Sequence, residues 1–223
     1  MSLHRYSSGR RRLRHAGCPL LVLIVLLVPT PARAQVAFEF FRGTAFNVPT
    51  TLTVNQRGLP PIEFTAHYEV RPLDARAYYA YRLGLWNTNR AWIVEQLHHK
   101  IYLENPQGGV EHFEVTHGYN LITLNRGWRH GDNTLLFGGG VVVARPHSTI
   151  RGRKFPADDV AGYSLSGVTI QAAASRRFDL TRRIFTSVEG KVTTSWARVP
   201  VFDGNATVPN SAFHVLAGMG VKF

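Results

Sequence analysis

From Val36 onward the chain shows no sustained helical period, whereas apolar and polar residues alternate at period two throughout. Ile62, Phe64, Ala66, Tyr68 and Val70 fall on one side of an extended chain, and Glu63, Thr65, His67, Glu69 and Arg71 on the other. The same split separates Tyr79, Tyr81, Leu83 and Leu85 from Ala80, Arg82 and Gly84. It also separates Val188, Gly190, Val192, Thr194 and Trp196 from Ser187, Glu189, Lys191, Thr193 and Ser195. In the last run Phe213, Val215, Ala217, Met219, Val221 and Phe223 oppose His214, Gly218, Gly220 and Lys222. These segments predict strands near 36–46, 48–57, 61–72, 77–86, 91–104, 111–127, 133–147, 163–178, 183–197 and 211–223, ten in all. Eight is the alternative, because NVPTTLTVNQRGLPP is the weakest strand sequence and a first hairpin need not form there.

A soluble sandwich alternates too, but three features favour a single antiparallel transmembrane β-barrel, an all-β fold. The chain ends in a strand whose last residue is an apolar-face aromatic, Phe223. Tight connectors (Asn87 to Arg90, His130 to Asn133, Asp179 to Arg182) alternate with long ones (His147 to Gly162, Arg198 to Asn210), as when one barrel end carries short periplasmic turns and the other long outer loops. Aromatic residues such as Tyr79, Trp86, Trp92, Tyr102, Trp128 and Trp196 gather near strand ends, as in interfacial girdles. An even strand number follows from placing both chain ends in the periplasm. Closure follows because lipid offers no partner to a free backbone edge.

The stretch WIVEQLHHKIYLE, Trp92 to Glu104, tests this picture, since two histidines, a lysine and a glutamate sit among apolar residues. Taking Trp92, Val94, Gln96, His98, Lys100 and Tyr102 as facing the lumen gives His98 and Lys100 polar neighbours. It leaves Glu95 and His99 on the outer face, a costly position for a charge near the midplane, which a bulge or a place near the barrel end would relieve. In HFEVTHGYNLITLN the polar side changes after Asn120, which predicts an irregularity close to it. With His112, Glu114 and Thr116 inward in the upper half, His98 and Lys100 come towards Glu114.

Charge refines the assignment. The chain of 223 residues has a formal net charge of +12. Residues 1–34 hold six arginines and no acid, leaving 20 basic against 14 acidic residues beyond them. About half of the basicity therefore lies outside the expected fold, and the balance implies no nucleic-acid partner. Arg5 and Arg10 to Arg14, the apolar run PLLVLIVLLV and Ala32-Arg33-Ala34 before Gln35 read as a cleaved signal peptide over 1–34, with the barrel over 35–223. The apolar run is half of the roughly 20 residues a membrane helix needs. Cys18 is the lone cysteine and precedes that run, so the exported chain has neither disulfides nor cysteine chemistry.

No HExxH, Walker loop, GxSxG or strand-borne GxGxxG is present. The polar residues of the strands, Glu69, Arg82, His98, Lys100, Glu114, Asn120, Gln171, Glu189 and Lys191, read in two ways. One is a structural lumen network, since buried charges persist only when paired. The other is a site in which His98 carries protons or binds a metal with Glu114 or Glu69. His98 and His99 point to opposite faces, so the pair is no chelate.

The blocks FTAHYEVRPLDARAYYAYRLGLW, EQLHHKIYLE, FEVTHGYNLITLN, GGGVVVARPH and SVEGKVTTS resemble, in order, those of lipid A oxidase-like outer-membrane proteins. The matching positions are Tyr68-Glu69, Tyr78-Tyr79 with Arg82, Glu95 followed by His98, Lys100 and Tyr102, then Gly118, Asn120, Thr123 and Asn125, Pro146-His147, and Glu189 with Lys191. The chain departs from the pattern at Arg76-Ala77, in place of proline, and at His117, in place of an acid. The resemblance implies an outer-membrane enzyme that oxidises the proximal glucosamine of lipid A to an aminogluconate with molecular oxygen, and it leaves room for a divalent metal ion. It implies His98, Glu114 and Glu69 as catalytic residues and Lys100, Arg82, Asn120 and Lys191 as substrate-binding residues. Membrane lipid and lipopolysaccharide are the implied partners, and the basic stretch Arg145, Arg151, Arg153 and Lys154 suits the latter. The competing readings are a non-catalytic barrel with a structural or surface-binding role and, last, a narrow pore.

Overall fold

The computed structural model describes residues 34–72, 78–156 and 162–223, without the side chains of residues 116 and 117. The expected leader, Arg76-Ala77 and the His117 side chain lie outside that description. Among the described residues every regular element is a strand. In chain order these are β1 (Gln35–Val48), β2 (Thr50–Gln56), β3 (Ile62–Ala66), β4 (Tyr68–Glu69), β5 (Tyr79–Asn87), β6 (Arg90–Leu103) and β7 (Val110–His130). Then follow β8 (Asn133–Ala144), β9 (His147–Ile150), β10 (Arg153–Phe155), β11 (Ser164–Asp179), β12 (Ile184–Val201) and β13 (Gly204–Lys222).

The ladders close into a ring. β1 pairs with β13 on one side and β5 on the other, and the pairings run on through β6, β7, β8, β11 and β12 back to β13, all antiparallel. Eight staves therefore carry the barrel. The expected strands 48–57 and 61–72 become β2, β3 and β4, which lengthen the wall at one end: β2 continues along β13, β3 folds back on β2, and β4 pairs with β6. The β9–β10 hairpin extends β7 at that same end. Gln35, Phe223 and the three tight turns share the opposite end, where the Phe223 amide donates to the Val36 carbonyl at 2.9 Å.

The expected long connector from Arg198 to Asn210 is instead ladder. β12 runs to Val201 and β13 resumes at Gly204, with Asp203 at φ 51° in the turn. Val199, Val201, Ala206 and Val208 are buried in an apolar cluster with Leu52, Val54, Ile62, Phe113 and Ile150 at the outer end. Pro200, Pro209 and the Asp203-Gly204 pair are loop-type residues, whereas the period-two burial of the stretch keeps it in the sheet.

Inward and outward faces alternate as expected in β5, β12 and β13: Ser187, Glu189, Lys191, Thr193 and Ser195 are buried, and Val188, Val192 and Trp196 exposed. The phase of β6 is the reverse of that expected. Ala91, Ile93, Glu95, Leu97, His99 and Ile101 are buried inside, while Trp92 is 49% exposed on the outer wall. A one-residue slip in a strand exchanges its faces completely. Energetics fixes the phase: Glu95 meets the two cations that neighbouring staves turn inward, Arg82 on β5 and Lys191 on β12. The upper part of β7 is reversed as well, since Phe113, Val115 and Tyr119 are buried and Glu114 and Asn120 face out. The irregularity expected near Asn120 is present: His99 pairs with Tyr119 but Ile101 with Val115, so β7 bulges by two residues, with Gly118 at φ 117°.

The interior is filled in layers. Nearest the turns, Ala37, Trp86, Ala91, Ile93, Leu136 and Ala173 cluster. Above them lies the ionic network, then His99 with Asn47 and Asn210, each 3.1 Å away, and finally the apolar outer cluster. The exterior carries an exposed apolar band including Phe38, Leu124, Phe137, Ile170, Val192 and Val215. Trp92, Trp128 and Phe178 edge it towards the turns, and Phe46, Tyr163 and Trp196 towards the far end. Water would penalise such a surface at roughly 25 cal/mol per Å², and hydrocarbon does not. A closed, even-stranded ring with that exterior is the architecture of bacterial outer membranes, short turns inside and long connectors outside.

Candidate functional site

The candidate residues separate into two groups on opposite sides of one wall. Arg82 and Lys191 belong to the lumen. The Arg82 guanidinium donates to Glu95 through Nε at 2.8 Å and to both Glu189 oxygens at 2.8 Å, with Glu39 at 3.9 Å. Lys191 donates to Glu95 and lies 3.3 Å from Glu189. Gln171 Nε2 donates to Glu95, Thr123 and Asn125, each at 3.0 Å. Every charge here is paired, as burial demands. Arg82 and Lys191, expected to bind substrate, have their donors committed to carboxylates inside the barrel, with side-chain exposures of 2% and 0%.

His98, Lys100, Asn120, Glu69 and Glu114 lie on the outer wall near its outer end. Cross-strand register puts Tyr79, His98 and Asn120 in one row over β5, β6 and β7. The Tyr79 and His98 rings stack with centroids 4.6 Å apart and planes 10° apart. Asn120 Oδ1 lies 2.8 Å from His98 Nδ1, and its amide donates to the carbonyls of Gly118 at 3.4 Å and Val143 at 3.2 Å. With its NH₂ group so used, Asn120 presents an acceptor, which assigns the proton to His98 Nδ1 and leaves Nε2 as the ring's base.

One step along the same face of β6 stands Lys100, fully buried, and one step further Tyr102. Register sets Tyr102 between Glu69 of β4 and Glu114 of β7, with His147 of β9 beyond Glu114. Arg71 lies over the Tyr102 ring at 4.4 Å and pairs with Glu69, while His112 Nε2 is 3.4 Å from Glu114. The two rows span roughly 10 Å across three strands and 14 Å along β6, the size of a sugar headgroup. The β7 bulge at Gly118 separates the rows and aims Asn120 at His98.

Tyr79, Tyr102 and His147 complete this patch, although their roles were not legible from charge alone. The available signal was the resemblance, whose matching positions include all three. Among the described residues no three His, Cys, Asp or Glu side chains come together as a metal-holding group. The His112–Glu114 pair supplies two donors and the bonded His98–Asn120 pair one more, in separate rows. The basic outer stretch is partly structural: Arg151 donates to Gln56 Oε1 at 3.0 Å and to the Pro60 carbonyl at 2.7 Å, and Arg153 lies over Phe202.

No protein-family model matches the sequence, and no curated protein matches it. Among solved structures the chain is similar to the outer membrane protein OprG from Pseudomonas aeruginosa, at 9% identity and TM-score 0.48, over 85% of this chain and 96% of that one. It is similar to the outer membrane protein AlkL at 11% identity and TM-score 0.48, over 97% of each chain. It is also similar to Neisserial surface protein A at 9% identity and TM-score 0.41, over 85% and 97%.

Proposed function

We propose that this outer-membrane barrel modifies lipid A in the outer leaflet, at a site on its outer wall. The observation that carries the reading is the shared placement of His98, Lys100, Asn120, Glu69 and Glu114 on the outward side of β4, β6 and β7, at the outer edge of the apolar band, with Glu69 and Glu114 the more open of them. A substrate anchored by its acyl chains meets that patch sideways, without entering the lumen. His98 Nε2 takes the proton from a sugar hydroxyl, with Glu114 as the second candidate base. Asn120 holds the imidazole tautomer and Glu69 accepts from hydroxyl groups, while Lys100, enclosed beside them, lends the patch positive charge rather than a surface contact. Oxidation of the proximal glucosamine to an aminogluconate, with dioxygen as oxidant, is the reaction class the sequence resemblance supports. Arg82 and Lys191, whose donors are committed to carboxylates, stay with the lumen network in this reading.

Mass spectrometry of lipid A from cells with and without the protein tests this. A gain of one oxygen atom that disappears in His98→Gln and Lys100→Met supports the reading. Lipid A unchanged by the unsubstituted protein overturns it and leaves a structural barrel, a reading favoured by the shielding of His98, Lys100 and Tyr102, each under 9% exposed.

A further inference from the structure

Among the described residues the excess of bases over acids is greatest at one end of the barrel. At the end bearing the termini and tight turns, Arg90, Arg126, Arg176, Arg182 and Arg183 stand on the wall or in the turns. Arg129, Arg177 and Lys222 stand at the mouth of the interior, and among the described residues Asp132 and Asp179, with Glu39 just inside, are the acids that oppose these eight. At the far end, by contrast, Glu63, Glu69, Glu104, Glu111, Glu114 and Asp203 are interspersed among the bases.

Two of these arginines face sideways into the membrane rather than down into water. Arg126 shares the outward side of β7 with exposed Leu124 and Trp128, and its guanidinium lies 4.9 Å from the Trp92 ring centre. Arg176 shares the outward side of β11 with exposed Ile170 and Phe178 and lies 5.8 Å from the Phe178 ring. Each stands two or three positions from hydrocarbon-facing residues and within a few of a turn, which is the headgroup level. A ring under a guanidinium leaves its N–H edge free, and that edge matches phosphate oxygens two at a time.

We infer that this rim binds the phosphates of anionic phospholipids in the periplasmic leaflet and gives the barrel a selected lipid shell. The lateral aim of Arg126 and Arg176 favours lipid over a soluble periplasmic polyanion, which would meet only the turn arginines. Native mass spectrometry of the refolded barrel, offered equal phosphatidylglycerol and phosphatidylcholine in micelles, reads the preference. Retention of phosphatidylglycerol by about fivefold or more is expected, at the strength of a single basic contact. The Arg126→Gln/Arg176→Gln double variant should fall to parity, and Arg198→Gln at the far end should not change the ratio. A heat-modifiable gel shift checks that each variant has folded. Parity in the unsubstituted barrel, or a preference that the double variant keeps, overturns the inference. Retention of anionic cell-wall fragments without phosphatidylglycerol overturns it in favour of a cell-wall contact.

Discussion

At His98 one hydrogen bond fixes the tautomer of the imidazole and leaves Nε2 unprotonated. Asn120 can accept from Nδ1 only because its amide is held by two backbone carbonyls. Asn120→Ala is therefore expected to lower lipid A modification by roughly 10²-fold, while Asn120→Asp, which keeps the acceptor but turns a carboxylate oxygen towards those two carbonyls, retains only part of it. Product yield by mass spectrometry at matched expression separates the two. Arg82 predicts the opposite signature. It neutralises buried carboxylates, so Arg82→Ala should cost about 3–5 kcal/mol in urea unfolding of the refolded barrel. His98→Gln should leave that midpoint nearly unchanged. A stability loss in His98→Gln as large as that of Arg82→Ala would remove the distinction between site and scaffold.

Strands determine which of these side chains can meet, and here the sequence was only partly readable. Alternation placed β5, β12 and β13 with the right faces because each has a clean apolar side. In β6 both faces carry polar residues, so period two gives two equivalent answers. Only the inward cations of β5 and β12, which single-strand reading does not see, choose Glu95 for the lumen. The same ambiguity hid the outer wall as the place for His98 and Lys100. In β7 the change of polar side near Asn120 did announce the bulge, because inserted residues exchange faces locally. Gly118 bears that bulge at φ 117°, and a Cβ there would lie 2.3 Å from Asn120 Nδ2. Gly118→Ala should thus push Asn120 off His98 and reduce modification while the barrel still shows its heat-modifiable gel shift. Full activity in that variant would uncouple the bulge from the site.

For the molecule as a whole, length, alternation, turn spacing and the terminal aromatic made the barrel legible. The stave count of eight was legible only as the alternative to ten, because β2 and β3 do form strands yet pair beyond the ring. Eight staves enclose a space that side chains fill, and here Arg82, Glu95, Glu189 and Lys191 bridge it. The barrel should give no conductance steps in planar bilayers, and steady single-channel currents would reopen the pore reading. If the proposed chemistry takes place on the wall, rather than in a solvent-fed pocket, concentration takes on a different meaning for this protein. Encounters would occur in two dimensions, so turnover should follow the mole fraction of substrate within the surface. Adding inert detergent at constant total lipid should then slow the reaction by surface dilution alone.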